Sequence, residues 1–188
     1  AASWFGPHNE HRILFTRILT FGLMLMNGQW DPRLEMAANA VLYAFVVCGL
    51  FMILSRDRSP RFMLFLTAVL AVISTFPFGA TNTLLGFQSQ FYFLAGFSFV
   101  AMYTLLKSRT GSLYWFGGVL SGGAALFSMG SGFMAPLVVL AVFILMAIRS
   151  KAGWRSLLRE RWITIAAASM LIVAGYYLRV NVSAHIPL

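Results

Sequence analysis

The stretch Val41-Leu42-Tyr43-Ala44-Phe45-Val46-Val47-Cys48-Gly49-Leu50-Phe51-Met52-Ile53-Leu54 carries no charge and is apolar on every face. A helix on a water-facing surface keeps one polar face, and a strand of a membrane barrel alternates apolar with polar at every residue. This stretch does neither. Extended back to Met36, it has close to the length that crosses a hydrocarbon core, about 20 residues at about 1.5 Å rise each. The fold class it implies is all-α: a polytopic transmembrane helix bundle set in a lipid bilayer.

The whole chain agrees with that reading. Of its 188 residues, 60% are hydrophobic and 10% charged, with a mean hydropathy of +0.80. Soluble chains carry roughly 25% charged residues, because water-facing surface needs them. The net charge of +9, from 14 Lys and Arg against 5 Asp and Glu, would suit nucleic acid if it formed a patch on one domain. Instead the basic residues sit in short connectors between apolar runs, where topology puts them in bacterial polytopic proteins, so no nucleic-acid partner is expected. The single cysteine, Cys48, lies inside an apolar run and has no partner for an internal disulfide.

Asp31 and Pro32 open the first span, 36–54. Asp at a helix cap accepts from free amides, and Pro at the first helical position gives up no hydrogen bond it could have made. The basic connector 55–61 leads to span two, 62–78, which Pro77 and Gly79 end. Span three, 84–106, is closed by Lys107 and Arg109. Two shorter apolar runs, 113–127 and 133–148, flank Ser128-Met129-Gly130-Ser131-Gly132 and read either as two spans or as a re-entrant pair. Residues 149–161 hold five basic residues and one acid, Glu160, and read as a cytoplasmic surface helix before a last span, 162–178.

The side of the membrane holding connectors 55–61, 107–109 and 149–161 carries 10 of the 14 basic residues, and Arg12, Arg17, Arg33 and Arg179 make the remaining 4. The positive-inside rule therefore places the connectors in the cytoplasm and both termini outside. Six spans in a bacterial inner membrane is the consistent topology. An outer N-terminus without an initiator Met or signal peptide further implies a fragment of a larger protein, its first helix upstream and the rest of its own chain a partner.

The outer segment 1–35 is where chemistry concentrates. It holds three of the five acids, Glu10, Asp31 and Glu35, and two of the three histidines, His8 and His11. The run Pro7-His8-Asn9-Glu10-His11-Arg12 gathers a carboxylate, two imidazoles and a guanidinium at a membrane surface. The following apolar stretch, 13–26, is interrupted by Thr16, Arg17 and Thr20, which suits a helix lying in the outer interface with these groups and Arg12 on one side. Arg12 and Arg17 would then stand at headgroup height, suited to a phosphate. In the plainer reading, these residues only cap and solvate that helix. His8, Glu10 and His11 match no standard zinc spacing, so no metal cofactor is expected.

An outer loop with an acid, an interfacial helix and then Trp30-Asp31-Pro32 opening the next span resembles the first extracytoplasmic loop of the GT-C class of membrane glycosyltransferases. His8-Asn9-Glu10-His11-Arg12 and Gly86-Phe87-Gln88-Ser89-Gln90-Phe91 resemble segments of bacterial polytopic proteins related to that class. The resemblance implies transfer of a sugar from a polyprenyl-phosphate donor to an acceptor on the outer face. It makes Glu10 the base that deprotonates the acceptor hydroxyl, and Arg12 and Arg17 the cations that hold the donor phosphate. Members often carry two acids in this loop; here Asn9 precedes Glu10, and Asp31 or Glu35 would have to supply the second.

Asn82, Gln88 and Gln90, at the outer end of span three, suit sugar hydroxyls or equally amide bonds between helices. Gly118 and Gly122 give a small-residue face fit for close internal packing, and Gly130 and Gly132 a turn between spans. Trp4, Trp30, Trp115 and Trp162 fall near the expected interfaces, as an aromatic belt does. A transporter or flippase subunit is the alternative function, which the lack of an acid within the spans weighs against. A non-catalytic membrane assembly protein is the third.

Overall fold

The computed structural model describes residues 4–6, 12–75, 88–149 and 153–179, and among them it is all-helical. Seven α-helices follow in order: α1 (Leu14–Asn27), α2 (Pro32–Ser55), α3 (Pro60–Thr75), α4 (Ser89–Lys107), α5 (Leu113–Ser128), α6 (Met134–Arg149) and α7 (Gly153–Leu178), with a 3-10 turn at Gly130–Phe133 before α6. Four stretches are long and apolar enough to cross a membrane: Pro32–Ser55, Ser89–Lys107, Gly130–Arg149 and Trp154–Leu178. The chain is thus a multi-pass membrane protein. α1, α3 and α5 are apolar but shorter.

The start of α2 follows the sequence signal. Asp31 has extended backbone, its carboxylate accepts from the Arg33 amide at 2.8 Å, and Pro32 takes the first helical position. Residues 76–87 lie outside the described set, so the expected end of span two at 78 and start of span three at 84 are not described; α3 ends at Thr75 and α4 begins at Ser89.

One expectation is overturned. Among the described residues, 153–161 do not form a helix apart from the last span: α7 runs unbroken from Gly153 to Leu178. Nothing between Trp154 and Ala174 breaks a helix, and charge by itself does not, because Arg and Glu are good helix formers. Leu157 in this basic part packs against the same buried cluster as Ile165 further along.

The described residues group into two compact units. One comprises 1–14 and 97–188. Its core is Leu105, Trp115, Val139, Phe143 and Ala168, and close approach at small residues makes that core possible. A Cβ on Gly118 would overlap the Thr104 hydroxyl, and one on Gly122 would come within 2.7 Å of Leu171 Cδ1. Gly132 lies against the backbone of Ala125, which is why the turn after α5 needs glycine. The small-residue face is therefore spent on packing inside the unit.

Trp115 is packed inside its unit. It is 7% exposed, and its Nε1 donates to Thr164 Oγ1 at 3.0 Å. An indole can be buried when an acceptor meets its N–H. Trp4, Trp30 and Trp162 remain exposed, as belt residues do.

The other unit spans 15–96: α1 from Phe15, α2, α3 and the first turns of α4. Tyr43 donates to Ser74 Oγ at 3.1 Å and stacks at 5.7 Å on Tyr92, while Phe15 meets Phe93 at 5.8 Å. The apolar side chains of α2 and α3, among them Phe45, Met52, Leu64 and Phe65, point outward and are exposed. An apolar exterior is what lipid requires.

Candidate functional site

In the N-terminal unit polar groups face inward. On α1, Thr16 is buried and Thr20 half-buried, while Ile18, Phe21, Leu25 and Met26 are exposed. This inverts the pattern of a soluble amphipathic helix: the polar face meets protein, and the apolar face is left for lipid. Thr16 and Thr20, one turn apart, make two separate connections. Ser89 at the start of α4 donates to Thr16 Oγ1 at 2.8 Å, and Thr20 donates to Glu35 Oε1 at 2.7 Å.

Glu35 is the unexpected member. Read from sequence it belongs to the outer loop, but it stands in the first turn of α2 and is 5% exposed. A carboxylate is almost never buried without a donor, and here the Thr20 hydroxyl supplies one. Its place in the first turn also sets it against the positive end of the α2 dipole. Asn39, fully buried, lies one turn further along the same face.

Gln90 follows Ser89 and is 6% exposed. Its Nε2 reaches Gln88 Oε1 at 3.4 Å, and its Oε1 accepts no hydrogen bond among the described residues. A buried amide oxygen in that state is uncommon, because buried polar atoms are nearly always paired. Glu35, Thr16, Thr20, Ser89 and Gln90 are thus buried or half-buried polar groups of one unit, with Thr20 bonded to Glu35 and Ser89 to Thr16.

The residues selected from sequence fare unevenly. His8, Asn9, Glu10, His11 and Asn82 lie outside the described residues. Asp31 is the cap of α2, and Arg17 is half-buried on α1 next to Thr16. Arg12, in the C-terminal unit, donates through Nε to the Leu178 carbonyl at 3.1 Å and through Nη1 to the Phe5 carbonyl at 2.7 Å. It thereby satisfies a carbonyl at the end of α7, and Phe5 in turn meets the Phe127 ring edge-on at 5.9 Å. Gln88 and Gln90 meet each other at the start of α4.

Thr16, Thr20 and Ser89 carry no site role in the sequence reading, where Glu35 enters only as the alternative to Asp31 for a second acid. Their signal was present as two four-residue spacings, Thr16 to Thr20 and Glu35 to Asn39, each placing two polar groups on one helix face. Between α2 and α3 runs a groove of about 460 Å³ lined by apolar side chains including Val47, Phe51, Met52, Leu70 and Ala71. Searches against models of known protein families, curated proteins and solved structures gave no match to the chain.

Proposed function

We propose that the chain is the membrane domain of a glycosyltransferase that moves a sugar from a polyprenyl-phosphate donor to an acceptor on the outer face of a bacterial inner membrane. In this reading both ends of the chain are outside. The observation that carries it is the buried Glu35 carboxylate held by Thr20, with Thr16, Ser89 and the open acceptor of Gln90 in the same unit. The resemblance makes Glu10 the base and calls for a second acid, a role that Asp31 or Glu35 would take.

Glu10 takes the proton of the acceptor hydroxyl, whose oxygen bonds to the anomeric carbon as the carbon–oxygen bond to phosphate breaks. Polyprenyl phosphate leaves with the electron pair, and Arg12 and Arg17 are the cations the resemblance assigns to that growing charge. The α2–α3 groove suits an isoprenoid tail: Val47 lies twelve residues past Glu35, about 18 Å deeper along the helix.

The test is sugar transfer from labelled polyprenyl-phosphate sugars by the full-length protein in lipid. Glu10→Gln is expected to slow transfer by about 10²–10⁴-fold, the usual contribution of a positioned base. Glu35→Gln, which keeps the shape and an oxygen to accept from Thr20 but removes the charge, is expected to slow it at least about tenfold, as loss of a charged partner's contribution does. Unchanged transfer with Glu10→Gln removes the base assignment, and unchanged transfer with both removes the reading.

A second reading, solute translocation, rests on the same Glu35, because a buried acid within a membrane helix is where transport sites form. It predicts uptake into proteoliposomes that Glu35→Gln abolishes, in a protein with no transferase activity.

A further inference from the structure

A different polar recess lies in the C-terminal unit, where α4 ends and the basic part of α7 passes it. About 400 Å³ in volume, it is lined by Lys107, Arg109, Thr110, Glu160 and Arg161. Three cations face one carboxylate, so the recess keeps an excess of two positive charges. We propose that it is a phosphate-binding site for the headgroup of an anionic phospholipid.

The recess is built on a fixed base. Arg161 donates through Nη1 to the Ser108 carbonyl at 2.8 Å, Thr110 and Thr164 share a hydroxyl contact at 3.1 Å, and the Trp115 indole donates to the same Thr164. Thr164 is fully buried, so the 108–112 turn is tied to α7 at two points, through Ser108 and Thr110, and the start of α5 at a third, through Trp115. The Arg161 guanidinium is thereby aimed with N–H donors left over, since only one is committed to Ser108.

Lys107 and Arg109 are held differently. Both are exposed, and neither side chain makes a hydrogen bond or ion pair with a described residue. Glu160 pairs with none of the three cations, the one ion pair among the described residues being Arg56 with Asp57 at 3.8 Å. Cations gathered around a recess without a carboxylate to neutralise them bind anions, and a phosphate offers oxygens to several N–H donors at once. The unpaired Glu160 suits a hydroxyl of the same headgroup, as glycerol provides.

Position decides the source. The recess sits at the membrane-surface end of two spanning helices, on the side to which the basic bias assigns the cytoplasm, and basic pockets there take lipid headgroups. Inorganic phosphate shares the chemistry, so the test separates the two.

The full-length protein in detergent is heated with added phosphatidylglycerol, phosphatidylcholine or inorganic phosphate. Phosphatidylglycerol is expected to raise the melting temperature of the wild type, and phosphatidylcholine is not. Lys107→Gln with Arg109→Gln is expected to weaken that binding at least about tenfold, since two charge-assisted contacts go. Arg56→Gln with Arg58→Gln removes equal charge elsewhere and is expected to leave it unchanged. Should the first double variant not fold, Arg109→Gln alone and the wild-type discrimination between the two lipids decide. A matching rise with inorganic phosphate overturns the lipid assignment in favour of a soluble phosphate. Equal shifts in the Lys107/Arg109 variant, or no wild-type shift with any anion, overturn the site.

Discussion

Replacing Gly118 by alanine puts a methyl group onto the Thr104 hydroxyl and within 3.2 Å of Leu105 Cγ, whereas the same change one residue earlier, at Gly117, meets nothing within 4 Å. Both changes gain the helix preference of alanine over glycine, about 1 kcal/mol. At Gly117 that gain stands alone. At Gly118 it is opposed by overpacking of about 1–3 kcal/mol against the fully buried Leu105. The Thr104 hydroxyl donates to the Val100 carbonyl at 2.7 Å, so swinging it aside forfeits a further bond of about 1 kcal/mol. Gly118→Ala is therefore expected to be destabilising by about 1–3 kcal/mol and to lie about 2–4 kcal/mol below Gly117→Ala. Reversible unfolding in mixed micelles with increasing SDS reads the difference directly. Gly118→Ala matching Gly117→Ala in stability, while self-association measured by light scattering falls, would refute internal packing and make this face an interface between copies.

Two further substitutions probe local structure. Thr164→Val is expected to lower the unfolding midpoint by the equivalent of about 1–3 kcal/mol, because the Trp115 N–H is left buried without its acceptor. Thr164→Ser should restore most of it, and equal losses in both would point to methyl packing instead. Asp31→Ala is expected to cost about 0.5–2 kcal/mol through loss of the α2 cap, read as a lower melting temperature; no change would mean that water replaces the cap freely.

Much of the helical layout is legible in the sequence where a local signal sets it. Asp31-Pro32 starts α2, because caps and prolines act within one turn. The unbroken α7 is not legible from charge, since a run of arginines marks the membrane surface without ending the helix that carries it. The burial of Trp115 and Glu35 is not legible for a shared reason: each is buried by a partner distant in sequence, Thr164 for one and Thr20 for the other. Polarity alone sends such residues to the surface, and only the tertiary contact reverses it. The chemistry of the outer loop, resting on Glu10, was read from motif and neighbourhood, and its geometry lies outside the described residues.

The continuity of α7 has a mechanical consequence. Its 26 residues make a rod of about 39 Å, longer than the roughly 30 Å hydrocarbon core, so its arginine-bearing end projects rigidly beyond the lipid tails. A thinner bilayer is met by tilting, and a tilt of about 20° swings that end sideways by roughly 13 Å. Arg161 and Thr164 fasten the 108–112 turn to the rod, so the turn is carried along. Membrane thickness thus becomes a lever that sets how deep in the headgroup layer these charges ride.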